Sequence, residues 1–373
     1  MPRIPPTLFR HARRINPLLP SLLPVCRDLR SSQNELRWLG EHAAEVASKS
    51  GQKHETLLER YVHRRAKGEP LQYILGSEFF GDLEIKCRPG VLIPRQETAT
   101  SVSHLAALLS KAWKQSPASK PISVLDLCTG TGCIPLLFQH ELSKQSPGKD
   151  AIANIVGVDI SSTALSLAEE NKVIQLRELR TSASPYAKTL HLFRNIHFLQ
   201  ADVLARSGPS SVTGRLQQIQ TNRIKPSYEI IISNPPYISS SAFRRTTAAS
   251  VRRFEPKLAL VPPSTDSGLF PSGSANKQGL DDGDIFYPRV LEIAAECDAK
   301  VVLVEVADIE QACRVAAMAD GWHVEIWRDD PAARGESGEE YVGVGGEGGR
   351  QVRVLGTGNG RSVLFTKGNW IRG

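Results

Sequence analysis

Seven short apolar runs, spaced along the chain by helical or polar stretches, constrain the fold more than any other feature of this sequence. They are Ile122–Leu127, Ile155–Val158, Ile196–Leu199, Glu229–Ile232, Val301–Val306, His323–Trp327 and Ser362–Thr366. A strand that is apolar without alternation is buried on both faces, and such strands separated by helices build a mostly parallel sheet covered on both sides. The expected fold is therefore α/β, with a seven-stranded mostly parallel sheet over residues 121–373. Two polar insertions stretch the pattern, at 175–193 and 205–227, and read as surface loops. Residues 331–360 hold ten of the 29 glycines, including the run GVGGEGG, and read as a flexible insertion. Gly356, Gly358 and Gly360 mimic a nucleotide loop, but a strand follows them rather than a helix, so a hairpin turn is expected there.

The N-terminal region has a different texture. Of the formal net charge of +7, +5 sits in residues 1–30, which carry six arginines and one acid, Asp28. The body of the protein is nearly neutral, which argues against direct nucleic-acid binding. Residues 1–27 hold five arginines and no acid. That is the composition of a mitochondrial presequence; the competing reading is a basic first helix of the fold. The prolines at 2, 5, 6, 17, 20 and 24 argue against one long amphipathic helix. Residues 31–70 read as a small helical domain. Ser32 or Asn34 would cap a first helix along Leu36, Leu39, Ala43, Val46 and Ala47, Gly51 would stop it, and Leu57, Leu58, Tyr61 and Val62 would line a second. Residues 71–120 read as a β-hairpin (71–93) and a linker ending in a surface loop at 114–121. No uncharged apolar stretch is long enough to span a membrane. The six cysteines are scattered with no Cys-x-x-Cys pair, which points away from a zinc site and towards a reducing compartment.

The chemistry sits at the strand ends. The first strand of the α/β region runs into Asp126-Leu-Cys128-Thr129-Gly130-Thr131-Gly132-Cys-Ile-Pro135. A strand, Gly-x-Gly and a helix place backbone N–H groups and a tight turn against a ligand. The third glycine of a dinucleotide fingerprint is replaced by Pro135, which disfavours NAD. An acid before the glycines suits a cationic ligand such as the sulfonium and amino groups of S-adenosylmethionine. Asp159 ends the next strand, where a carboxylate can accept from both ribose hydroxyls, and Asp202 follows the third, within reach of an adenine amino group. Each acid alone would serve as a helix cap; together, at successive strand ends, they point to a nucleoside site. The fourth strand ends in Asn234-Pro235-Pro236-Tyr237. Two prolines after the Asn make a rigid turn. They hold the Asn side-chain carbonyl and the Asn–Pro carbonyl as convergent acceptors for a planar NH2 group. Accepting both N–H bonds orients the nitrogen and stabilises the positive charge that develops on methylation. Tyr237 can stack on the planar group.

These residues resemble class I S-adenosylmethionine-dependent methyltransferases, and within them the HemK/PrmC family, the glutamine N5-methyltransferases of peptide chain release factors. The resemblance covers roughly residues 31–330 and the last strand. Its specific part lies outside the shared core: Gly68-Glu-Pro-Leu-Gln-Tyr73-Ile-Leu-Gly76 with Phe79-Phe80, Ile93-Pro94-Arg95-Gln-Glu97-Thr98, and Arg252-Arg-Phe254-Glu255-Pro256 with Ala259-Leu260. It implies a Rossmann-like domain joined by a β-hairpin to a small helical substrate-binding domain. The cofactor would be S-adenosylmethionine, held by Asp126, Cys128 to Gly132, Asp159, Asp202, Val203 and Asn234. Asn234 to Tyr237 would clamp the methyl acceptor, with Arg95 and Glu97 also on the substrate side, and no metal is implied. The partner would be the Gly-Gly-Gln loop of a release factor. With the Arg-rich tail, the resemblance implies a mitochondrial member; a cytoplasmic one is the alternative. The sequence departs from the family at Cys128 (commonly Gly), at Val203 (often aromatic) and at Ala99 (usually acidic). Adenine and glutamine both present a planar NH2, so Asn-Pro-Pro-Tyr alone also admits an N6-adenine or rRNA base methyltransferase. Such an enzyme needs a target-reading domain or basic groove to extrude its base. The third reading, a catalytically silent adaptor, leaves Asp126, Asp159 and Asn234 without a purpose.

Overall fold

A computed structural model describes residues 3–115, 122–145, 152–181, 190–219, 226–263, 281–333, 339–345 and 349–368. The chain divides into two compact units. One comprises residues 1–78, 87–93 and 247–255, the other 79–86, 94–246 and 256–373.

The first unit is helical and begins earlier than residue 31. Its helices are α1 (Pro6–Ile15), α2 (Leu19–Cys26), α3 (Leu29–Ser50), α4 (His54–Ala66) and the short α5 (Leu71–Leu75). The Arg-rich tail is thus folded as α1 and α2. Leu22 of α2 shares a core with Leu39 and Ala43 of α3 and with Leu57, Tyr61 and Val62 of α4. Asp28, rather than Ser32 or Asn34, caps α3 by accepting from the Ser31 N–H at 2.8 Å. Ser32 lies inside the helix and donates to the Asp28 carbonyl. Arg65 of α4 forks onto Glu35 of α3 at 2.6 and 3.0 Å. Leu71–Leu75 is helical where a strand was expected, because Pro70 starts the turn and Gly76, at φ +84°, ends it in the left-handed region. A hairpin follows, β1 (Ser77–Phe80) and β2 (Leu83–Lys86).

The second unit is the α/β domain. Residues 96–115 are not linker but a buried helix, α6 (Gln96–Gln115), whose Ala99, Val102, Ala106, Leu109 and Trp113 recur every three to four positions and are buried. The remaining elements are β3 (Ile122–Leu127), α7 (Cys133–Gln145), β4 (Ile152–Asp159), α8 (Ser162–Thr181), α9 (Leu190–Arg194), β5 (Ile196–Gln200), α10 (Val212–Ile219), β6 (Ile230–Ser233), α11 (Ser240–Arg245), α12 (Ala249–Phe254), α13 (Phe286–Glu296), β7 (Val301–Glu305), α14 (Ile309–Ala316), β8 (His323–Asp330), β9 (Glu340–Val344), β10 (Arg350–Leu355) and β11 (Thr357–Thr366). Of these, α12 belongs to the first unit.

The sheet order among the described residues is β5-β4-β3-β6-β7-β11-β8-β10-β9. The seven expected strands fill its first seven places, parallel except for β11, which runs antiparallel to β7 and β8. Among the described residues the sheet has nine strands, not seven. Residues 340–344 and 350–355, expected as flexible insertion, add an antiparallel pair with β10 parallel to β8. Val344, Val352 and Val354 are buried, so alternation at these valines outweighs the glycine content around them. The expected hairpin at Gly356–Gly360 is absent, because β11 pairs with β7 and β8, with register shifts between Thr357 and Ser362. The two polar insertions also carry structure: α8 continues to Thr181, α9 begins at Leu190, and α10 buries Val212 and Leu216. Residues 182–189, 220–225, 334–338 and 346–348, on which the rest of those expectations fall, lie outside the described residues, as do 116–121 of the expected loop. Among the described residues no helix is long and apolar enough to cross a membrane.

Candidate active site

Strands β5, β4, β3, β6 and β7 are neighbours and parallel, so their carboxyl ends share one edge of the sheet. Chain order reverses between β3 and β6, the switch point at which ligands bind in open α/β sheets. Asp126, Asp159, Asp202, Asn234 and Glu305 all stand at or just beyond these five ends.

The loop after β3 is held in a sharp turn. Thr129 donates its N–H to the Val158 carbonyl and Gly132 to that of Thr129, both at 2.9 Å. Three of its residues have left-handed backbones: Cys128 at φ +66°, Gly130 at +55° and Gly132 at +75°. A Cβ on Gly132 would lie 2.8 Å from Phe198 and 2.9 Å from Ala168, whereas one on Gly130 would meet nothing within 4 Å. The loop therefore packs hard on its α8 side and leaves open space at Gly130. Asp159 fixes it from β4, accepting from the Gly130 N–H at 2.8 Å and from the Ser161 N–H at 2.9 Å. Burial pushes the Asp159 carboxyl up, against the pull of these backbone bonds.

Asp126 is wholly buried, and among the described residues neither of its oxygens has a partner in hydrogen-bond geometry, although the Thr129 hydroxyl lies close enough to pull its carboxyl down. Burial drives its carboxyl well above the usual range, and the Asp159 charge adds to this. A buried, unpaired carboxylate beside an open loop is what a cationic ligand compensates, so the residues present fit S-adenosylmethionine. Cys128 is held as a neutral thiol by its surroundings and by the charges of Asp159, Asp126 and Asp202. Asp202 closes a turn by accepting from the Leu204 N–H at 2.9 Å. Val203 points into the core beside Leu204, Val212 and Leu216, with 4% of its surface exposed.

Across the switch point, Ser233 of β6 pairs with Leu127 of β3 and with Val304 of β7. Its hydroxyl donates to the Leu127 carbonyl at 2.8 Å, which locks the strand end preceding Asn234. Pro235 and Pro236 are buried, while Asn234 and Tyr237 are partly exposed. The Asn234 side chain donates through Nδ2 to Thr98 Oγ1 at 3.2 Å, and among the described residues its Oδ1 has no partner. The Thr98 hydroxyl in turn donates to Glu305 Oε2. Tyr237 donates its phenol to Glu305 Oε1 at 3.1 Å, and its main-chain carbonyl accepts from Gln311 Nε2 at 3.2 Å. Gln311 is anchored on Asp284, which Arg314 grips at 2.7 and 3.1 Å. Burial raises both the Tyr237 phenol and the Glu305 carboxyl. Arg95 and Glu97 flank this cluster: the Arg95 charge is felt at Tyr237 and the Glu97 charge at Glu305.

All the expected site residues thus lie in the α/β unit, along the ends of β3 to β7 or at the start of α6. Sequence reasoning missed Glu305 and gave Thr98 no role of its own. A signal for Glu305 existed, since it is an acid in the last two positions of an apolar run, as Asp126 is.

A loop of this shape at the switch point, with an uncompensated carboxylate beneath it and Asn-Pro-Pro-Tyr opposite, defines an amino-methylating, S-adenosylmethionine-dependent methyltransferase of class I. No protein-family model matches the chain. The mitochondrial MRF1 N(5)-glutamine methyltransferase MTQ1 of Saccharomyces cerevisiae is 34% identical over 262 residues, 70% of this chain and 68% of that protein. The probable MRF1 mitochondrial N(5)-glutamine methyltransferase mtq1 of Schizosaccharomyces pombe is 32% identical over 66% of this chain and 70% of that one. A release factor glutamine methyltransferase of Chlorobaculum tepidum is 32% identical over 54% and 55% of the two chains. Among solved structures, a SAM-dependent methyltransferase from Agrobacterium tumefaciens is similar at a TM-score of 0.35 and 15% identity, over 78% of this chain and 70% of that one. The chain belongs to the HemK/PrmC family of release factor glutamine methyltransferases and is a protein-glutamine N5-methyltransferase.

Proposed function

We propose that this chain methylates N5 of the glutamine in the Gly-Gly-Gln motif of a mitochondrial peptide chain release factor. Two relatives, one named a mitochondrial and the other a probable mitochondrial MRF1 N(5)-glutamine methyltransferase, support the substrate and the compartment, as does the acid-free, Arg-rich stretch at residues 1–27. The observation that carries the chemistry is the Asn234 side chain, tied down by its nitrogen and left with its oxygen as a spare acceptor. When bound, S-adenosylmethionine supplies an electrophilic methyl group on a positively charged sulfur. Asp126 would offset that charge, Asp159 would receive the ribose hydroxyls, and Asp202 would receive the adenine amino group beside Val203. Cys128, Thr129, Gly130, Thr131 and Gly132 would hold the methionine end. Asn234 Oδ1 and its main-chain carbonyl accept the two N–H bonds of the substrate amide. This aims the nitrogen and stabilises the charge that builds on it in the transition state. Pro235 and Pro236 keep the two acceptors fixed, Tyr237 covers the amide plane, and Arg95 and Glu97 border the entering peptide.

Radiolabelled methyl transfer to a release factor bearing Gly-Gly-Gln, with DNA and RNA as controls, tests this reading. Asn234→Ala should lower the rate by about 10²–10³, the scale for losing one preorganised polar partner, with a smaller loss of cofactor affinity. Asn234→Asp, which keeps an acceptor, should retain part of the activity. Parent rates in both variants, or transfer to nucleic acid in place of the release factor, would refute it.

A further inference from the structure

Glu305 is the last residue of β7 and is 4% exposed. It stands beside Asn234 because β6 and β7 pair in parallel with Ser233 opposite Val304. Against the effect of burial, the Thr98 and Tyr237 hydrogen bonds and the Arg361 charge favour the ionised form of Glu305, and an ionised carboxylate only accepts hydrogen bonds. Both hydroxyl groups on Glu305, those of Thr98 and Tyr237, therefore spend their protons on it. With its proton so committed, Thr98 Oγ1 faces Asn234 as an acceptor only. The Asn234 amide then has one favourable orientation, with Nδ2 on Thr98 and Oδ1 away from it. Turning the amide over would set Oδ1 against the Thr98 oxygen and lose the bond. On the other side, the Glu305 main-chain carbonyl accepts from the Tyr287 phenol at 3.0 Å, and Glu305 is paired across β11 with Ser362. The carboxylate is thus built into the sheet and does not depend on the substrate for its place.

We propose that Glu305, acting through Thr98, is a positioning residue for methyl transfer: it sets which end of the Asn234 amide meets the substrate, and it holds the Tyr237 ring beside it. The inference rests on the Asn234 clamp described above. It differs from that clamp in placing the control of the amide on two residues that need not touch the substrate.

The test is steady-state methyl transfer by the full chain to a Gly-Gly-Gln release factor. S-adenosylmethionine affinity by calorimetry and the thermal midpoint are measured on the same variants. Thr98→Val removes the hydroxyl at nearly constant shape. It should lower kcat about 10- to 100-fold, the scale of a misplaced catalytic contact, with KM for the release factor and cofactor affinity within about threefold of the parent, far below that scale. Thr98→Ser restores the hydroxyl and should restore most of kcat. Glu305→Gln keeps the shape but presents an NH2 to one of the two hydroxyls, so kcat should fall here too; it replaces Thr98→Val if that variant does not fold. The deciding comparison is a double-mutant cycle. In an Asn234→Ala background there is no amide to orient, so Thr98→Val should cost nothing further. Parent kcat in Thr98→Val beside a slow Asn234→Ala would overturn this inference alone, as would losses that multiply in the double variant. A parent rate in Asn234→Ala would overturn the clamp and this inference together.

Discussion

Asp126 carries a conflict between stability and binding that can be measured. Among the described residues its two oxygens are buried with no partner in hydrogen-bond geometry, and burial, with the Asp159 charge adding, raises its carboxyl well above the ordinary range against the pull of the Thr129 hydroxyl. Asp126→Asn keeps the shape and removes the charge. An unsatisfied buried polar group costs about 1–3 kcal/mol, and more when charged. Asn still leaves polar atoms unpaired, so only the charged part is relieved, about 1–2 kcal/mol at neutral pH. At about 2–4 °C for each kcal/mol in a domain of this size, that is a rise of about 2–8 °C in the midpoint of the cofactor-free protein. The sign with pH follows from proton linkage. The folded state holds its Asp126 proton to higher pH than the unfolded chain, so parent stability falls as pH rises from the ordinary carboxylate value of about 3.9 towards the raised one. The advantage of Asn should vanish in acid, where both forms are neutral, and be complete above the raised value. Cofactor affinity should move the other way. Losing a charge-assisted contact costs about 1.5–3 kcal/mol, or about 10- to 150-fold in Kd. Thermal scans from pH 4 to 8 and calorimetry with S-adenosylmethionine read both effects. A less stable Asn variant, a stability difference flat with pH, or unchanged affinity would refute the assignment of Asp126 as the buried counter-charge.

Cys128 holds a left-handed backbone at φ +66°. That conformation costs a residue with a Cβ about 1–2 kcal/mol, so Cys128→Gly should stabilise the protein by about 0.5–1 kcal/mol after the added freedom of the unfolded chain is counted; denaturant titration checks it. Gly132→Ala meets both the strain of φ +75° and the walls of Phe198 and Ala168. It should cost about 2–4 kcal/mol by the same strain plus overpacking and abolish measurable cofactor binding, read by denaturation and calorimetry. Leu22→Ala in α2 should cost about 2–5 kcal/mol by opening the core around Leu39 and Tyr61, seen as lower helicity and a lower midpoint by circular dichroism.

The seven core strands were legible because their runs are buried on both faces and need no partner to be recognised. Asp126, Asp159 and Asp202 could be singled out in the sequence because they stand at or just past the ends of such runs. Glycine content misled at 331–360: Val342 and Val344, then Val352 and Val354, alternate as strands with one buried face should, but in short stretches among glycines. The helix at 96–115 was hidden by its place between two recognised regions, although its buried positions keep helical spacing. Glu305 and Thr98 mark a different limit. Their role depends on β6 and β7 being neighbours and on α6 lying against their ends. Strand order is a property of the whole sheet, and no local pattern contains it.

The N-terminal stretch shows that composition and packing answer separate questions. All six arginines of residues 1–30 are exposed, while Ala12, Leu19, Leu22 and Leu23 are buried. The arginines provide the charge that an import signal needs, and the leucines fill the helical unit. Nothing in the arginines opposes folding, because their charges remain in water. Nothing in the leucines opposes import, because a chain in transit is not yet packed. Cleavage near residue 30 is a different matter. It would remove α1 and α2 and uncover the face of Leu39, Ala43, Leu57, Tyr61 and Val62 that Leu22 covers. At about 1.5–3 kcal/mol for each large apolar side chain taken from the core, loss of Leu19, Leu22 and Leu23 would remove a large share of what holds so small a helical unit together. An Arg-rich, acid-free segment therefore does not by itself imply one that is discarded; here its apolar residues bind it to the fold.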